Sequence, residues 1–121
     1  MGLGHITSLA VESARTVYAG TYGGGVFKTT DGGNSWANTK SGMTNTIVRA
    51  LAVKPAGTVY AGTHDGVFKT SNGGASWTKI KSVLTNTWVH ALAVDSAGTV
   101  YAGTLGSLGG WVFAFSRSLS P

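Results

Sequence analysis

Thr16-Val17-Tyr18-Ala19-Gly20-Thr21 returns as residues 58–63 and again as residues 99–104, at offsets of 42 and 41. Ahead of each copy stands Leu-Ala-Val, beginning at Leu9, Leu51 and Leu92 with the same offsets. Behind each comes Val-Phe, at Val26, Val67 and Val112. Three markers agree on one register, so the chain is three tandem copies of one unit.

Each unit reads as four short strands. The first, such as 47–53, is apolar and β-branched with small Ala50 and Ala52. The second, 58–63, alternates Val59 and Ala61 with Tyr60, the period-two pattern of a strand. The third, 66–70, carries Val67 and Phe68, and the fourth opens at a tryptophan, Trp36 or Trp77. Turn signals separate them at 55–57, 64–66 and 72–74. A period of about 40 residues with four strands per unit is the signature of a β-propeller blade. The expectation is all-β: one domain over 1–121, with blades at about 5–40, 47–81 and 88–116. In the third unit the third strand is expected at 111–116, and 117–121 supplies neither turn motif nor tryptophan for an outer strand.

Composition agrees. With 19 glycines and only 11% charged residues, the chain departs from the roughly 25% charge of average soluble domains and suits strands joined by tight turns. The net charge is +5, but the lysines follow the repeat, Lys28 with Lys69 and Lys40 with Lys81, and form no run. A mildly basic solvated surface is expected rather than a nucleic-acid groove. There is no cysteine, which excludes disulfides, thiolate metal sites and cysteine nucleophiles. Residues 1–11 lack the charged start and long apolar core of a secretion signal. No apolar run approaches the roughly 20 residues of a membrane helix, so a soluble chain is expected.

Between the third and fourth strands lies Thr29-Thr30-Asp31-Gly32-Gly33-Asn34-Ser35-Trp36, matched by Thr70-Ser71-Asn72-Gly73-Gly74-Ala75-Ser76-Trp77. A short Asp or Asn accepts backbone N–H bonds inside its own turn. Gly33 and Gly74 supply positive φ, and a buried Trp36 or Trp77 contributes about 2–4 kcal/mol. These octapeptides resemble the Asp-box, Ser/Thr-x-Asp-x-Gly-x-Ser/Thr-Trp, with Asn72 in place of Asp in the second copy. The chain thus resembles the Asp-box propeller proteins: sialidases, xyloglucan-degrading hydrolases, sortilin-type receptors and photosystem assembly factors. The likeness to xyloglucanase-like and photosystem-factor-like repeats is the nearest, and it covers all but the last ten or so residues. It implies that the box turn lies away from the ligand face, so Thr29, Asp31, Gly33, Ser35 and Trp36, with Thr70, Asn72, Gly74, Ser76 and Trp77, are structural.

Catalysis is not expected. Sugar hydrolases generally place two carboxylates across the scissile bond, and the whole acidic supply is Glu12, Asp31, Asp65 and Asp95. Glu12 and Asp95 share a repeat position in the first turn, Asp31 belongs to the box, and Asp65 suits a tight turn with Gly66. The arginine cluster and tyrosine nucleophile that a sialidase needs are missing from the repeat register. His5, His64 and His90 fit no metal-ligand spacing, and no cofactor motif is present.

A ligand is expected on the face opposite the boxes, where the fourth-to-first and second-to-third connections meet. The first kind contributes Asn45 and Asn86. The second varies most between copies: 22–24 with Tyr22, then His64 and Asp65, then 105–110. On the first strand Thr7, Arg49 and His90 share one repeat position, which either lines the central channel or faces trapped water. Trp88, whose counterparts are His5 and Ile47, either fills a core gap or stacks on a sugar ring or anchors a peptide. Three blades do not close a ring, so each end blade leaves an apolar face. Head-to-tail self-association is expected, with two chains making six blades as the simplest case. The expected role is a non-catalytic binding or scaffold module for a protein or carbohydrate; a lectin and a piece of a larger glycoside hydrolase are the alternatives.

Overall fold

A computed structural model describes residues 2–54, 56–80, 88–106 and 109–115. The chain is all-β. The first unit holds β1 (Ile6–Val11), β2 (Val17–Thr21), β3 (Val26–Thr29) and β4 (Ala37–Asn38), and the second holds β5 (Val48–Val53), β6 (Val59–Thr63), β7 (Gly66–Thr70) and β8 (Thr78–Lys79). The third holds β9 (Trp88–Val94), β10 (Val100–Gly106) and β11 (Gly109–Phe115). Each unit is one antiparallel sheet in simple meander order, β1-β2-β3-β4, β5-β6-β7-β8 and β9-β10-β11. The third sheet has three strands among the described residues.

The outer strand is shorter than expected. β4 and β8 are two residues long and begin one residue after the tryptophan. In the second unit the reason is visible: the Trp77 N–H donates to Ser41 O of the first unit at 2.9 Å, across to the neighbouring blade. Likewise Ile47 falls outside β5 and forms a bridge with Tyr22 of the first unit. β11 runs 109–115, two residues earlier at its start than expected, pairing Val100↔Phe115 through Gly106↔Gly109.

The core lies between blades. One cluster joins Tyr18, Val26 and Met43 of the first unit to Val48, Leu51, Ala61 and Trp77 of the second. The next joins Tyr60 and Val67 to Val89, Val100 and Ala102 of the third. A Cβ on Gly20 would stand 2.7 Å from Val48 Cγ1, and one on Gly62 2.6 Å from Val89 Cγ1. The repeated glycine is therefore required by the next blade's inner strand, which presses onto it. On Gly103 the nearest atom would be Ala91 Cβ at 3.8 Å, because no blade covers that face among the described residues.

Among the described residues both end faces are open and use the same residue positions that are buried inside. Leu9 is 63% exposed where Leu51 is 8% exposed, and Trp36 lines an open cleft of about 380 Å³ with Leu3, Ile6, Leu9 and Ala19. At the other end Tyr101 and Val112 are exposed, at the positions where Tyr18, Tyr60, Val26 and Val67 are buried.

Candidate ligand-binding face

The two sides of the sheets differ in what they carry. On one side lie the β1–β2 turn and the box turn, tied by the Gly32 N–H donating to Arg15 O at 3.1 Å. Here Asp31 accepts from the Thr29 hydroxyl (2.7 Å), the Ser35 N–H (3.0 Å) and the Ser35 hydroxyl (2.6 Å). Those bonds, the Ser35 hydroxyl first, hold its carboxyl well below the ordinary carboxylate range. Asp95 accepts from the amides of Ala97 and Thr99, and Glu12 is exposed in the equivalent turn. Three of the four acids thus belong to this side.

The other side gathers the connections that vary between copies. Thr46 bonds Gly23 and Gly25 of the β2–β3 loop, tying the two kinds of connection together. A row of rings crosses this side: His5 to Tyr22 at 6.2 Å between centroids, Tyr22 to His64 edge-on at 5.9 Å, and His64 to Trp88 stacked at 3.9 Å. Four residues from three units make this row. Trp88 is 47% exposed and Tyr22 50%. Of the two readings of Trp88, the core-filling one does not match: the ring lies on His64, because a two-residue loop brings His64 over the start of β9.

Beneath the row, each inner strand carries a β-bulge at the same repeat position. Pairing passes from Ile6↔Thr21 to Ser8↔Gly20, from Val48↔Thr63 to Ala50↔Gly62, and from Val89↔Thr104 to Ala91↔Gly103. Thr7, Arg49 and His90 are the extra residues. A bulged residue leaves the ladder and its side chain is re-aimed, a feature enriched beside functional sites. The Thr7 hydroxyl crosses to Val48 O at 2.5 Å. Nε2 of His64 and Nε2 of His90 are buried without a hydrogen-bond partner. His64 is held below its ordinary value by burial first, then by the charges of Arg49 and His90.

Not every candidate joins this group. Asp65 turns to Lys79, 2.8 Å away, and its N–H bonds to the Thr63 hydroxyl. Asn45 is used locally, its Oδ1 accepting from the Ile47 N–H at 3.1 Å. Asn86 lies outside the described residues. His5 was not among the ligand candidates, and the repeat position it shares with Trp88 was the signal for its place in the row. No three His, Cys, Asp or Glu side chains come together among the described residues. Among them, no helix is long and apolar enough to cross a membrane.

No family model matches the chain, and no curated protein matches it. Solved structures do. An ancestral GH74 enzyme matches with TM-score 0.80 at 23% identity over 98% of this chain and 18% of its own. YCF48 bound to D1 peptide matches with TM-score 0.69 at 15% identity, over 95% of this chain and 38% of its own. The GH74 xyloglucanase from Xanthomonas campestris matches with TM-score 0.61 at 18% identity, over 96% and 24%. The chain therefore has the β-propeller fold and spans less than two fifths of each of these proteins.

Proposed function

We propose that this chain is a non-catalytic β-propeller module that binds a carbohydrate or protein on the face opposite its box turns. The observation carrying this is the row of rings Tyr22, His64 and Trp88 drawn from all three blades, with Arg49 and His90 at the bulges of the inner strands. These are positions at which the repeat units differ, whereas the invariant positions build the blades. The non-catalytic reading is supported by the acids: Glu12, Asp31 and Asp95 serve the opposite side and Asp65 bonds Lys79. A lectin is the same reading with repeated sites. The test follows Trp88 fluorescence and the imidazole NMR signals against glycan and peptide libraries; ligands that leave both unchanged refute it.

The end faces favour a second element, head-to-tail association. Ile6, Leu9 and Trp36 at one end, and Tyr101, Val112 and Gly103 at the other, repeat the residues that pair inside the chain. Another copy, two chains making six blades, supplies the complement. Light scattering on a size-exclusion column tests this. A discrete two-chain mass supports it, and a compact monomer refutes it. A polydisperse species that becomes a hydrolase when further blades are added supports the larger-hydrolase alternative.

A further inference from the structure

The bulge positions put different chemistry at one geometric place: a hydroxyl at Thr7, a guanidinium at Arg49 and an imidazole at His90. Arg49 has no ion pair with an acid among the described residues, and His64 and His90 each keep a buried Nε2 unpartnered. Of the four acidic side chains, Asp31 and Asp95 are engaged in turns of the opposite side, Glu12 is exposed in the equivalent turn there, and Asp65 bonds Lys79. Arg49, with no acid paired to it among the described residues and at the bulge position that His90 holds in the next blade, is an anion-receiving point. Two half-exposed rings, Tyr22 and Trp88, stand on either side of His64.

We propose that Arg49 receives the carboxylate of an acidic carbohydrate, a uronic-acid-bearing oligosaccharide whose adjoining pyranose rings lie against Trp88 and Tyr22. The planar fork of Arg49 matches a carboxylate with two parallel N–H···O bonds. Flat ring faces beside the anion point suit the apolar faces of a sugar chain, with polar groups at its centre fixing orientation. The inference rests on the proposed binding face and adds the ligand's charge and class.

The experiment compares a tetrameric oligogalacturonide, its fully methyl-esterified counterpart and a glutamate-rich peptide, by calorimetry and Trp88 fluorescence. The acid is expected to bind about tenfold or more tighter than the ester, the range of a charge-assisted contact. Arg49→Gln is expected to remove that difference, the acid then binding no tighter than the ester. Arg49→Lys is expected to keep part of it, and Trp88→Ala to weaken acid and ester alike. Thermal melts of each variant establish that it is folded. Equal binding of acid and ester overturns the carboxylate assignment and leaves the binding face standing. Peptide binding as tight as the acid's overturns the carbohydrate assignment. Absence of any response to all three probes overturns the inference, and the library screen then decides whether the face binds at all.

Discussion

Asp31 and Asn72 hold the same place in successive blades with the same three bonds, except that the third runs the other way. Asp31 Oδ2 accepts from the Ser35 hydroxyl at 2.6 Å, whereas Asn72 Nδ2 donates to Ser76 Oγ at 2.9 Å. The other two are preserved: Oδ1 of each accepts from a threonine hydroxyl and from the amide of the serine four residues on. The turn needs a short side chain with a carbonyl-type oxygen in that position, and the charge is incidental to it.

Asp31→Asn is therefore expected to leave stability near neutral pH almost unchanged, while Asp31→Ala, which loses all three bonds, lowers the melting temperature. The carboxyl is depressed in the folded chain, so its contribution is full above the unfolded value near 3.8. It is lost as pH falls through the lower folded value. Melts from pH 7 down to pH 2 should show a shallower acid decline in Asp31→Asn.

Trp36 and Trp77 are equivalent in sequence and unequal in surroundings. Trp77 is 3% exposed, its indole N–H donates to Thr39 O, and it packs in the inter-blade cluster. Trp77→Ala is expected to cost about 3–5 kcal/mol by chemical denaturation. Trp36→Ala should cost the isolated chain far less and show its effect on association, read as a lower average mass by light scattering.

Gly62 and Gly103 separate blade folding from blade association. Gly62→Ala drives a Cβ into Val89 and should destabilise by about 1–3 kcal/mol. Gly103→Ala meets only ordinary contact within the chain and should change the monomer by less than about 0.5 kcal/mol. If the copy's Ile6 takes the place of Val48 and Val89, Gly103→Ala weakens association at least about fivefold, measured by dilution light scattering.

Tyr18 is fully buried, and its hydroxyl has no geometrically sound hydrogen bond. Burial, aided by the nearby Glu12 carboxylate, pushes its ionisation up to about 12. Tyr18→Phe is expected to be neutral or slightly stabilising, since it removes an unpaired polar atom. Tyr18→Ala should cost about 3–5 kcal/mol, the range of an aromatic deletion from a packed core.

His64 supplies the pH dependence of the ligand face. Its folded value lies below the ordinary 6.5, so the unfolded chain takes up the proton first. Stability from this group is full above about pH 6.5 and is lost as pH falls through the folded value. His64→Gln should flatten the melting temperature between pH 7 and pH 5.

The strand pattern was legible because it is local: alternation in Val59-Tyr60-Ala61, the Asp-Gly turn at 65–66, and the box octapeptides all act within a few residues. Arg49 and His90 were legible as polar exceptions in an apolar strand, but not as bulges. A bulge is a count of residues against a partner strand, which the strand's own sequence does not contain. Asp65 illustrates the same limit, since its carboxylate is claimed by Lys79, fourteen residues away and on another strand.

Repetition by itself determined the blade: one register, three copies, the order of strands and the glycine that each copy keeps. Tertiary structure decided which copy of each residue is buried, because Leu9 and Leu51, or Trp36 and Trp77, differ only in whether a neighbouring blade stands against them. It also decided the face on which Tyr22, His64 and Trp88 meet. Their contacts join successive blades, and contacts between units depend on how sheets stack rather than on any pattern within one unit.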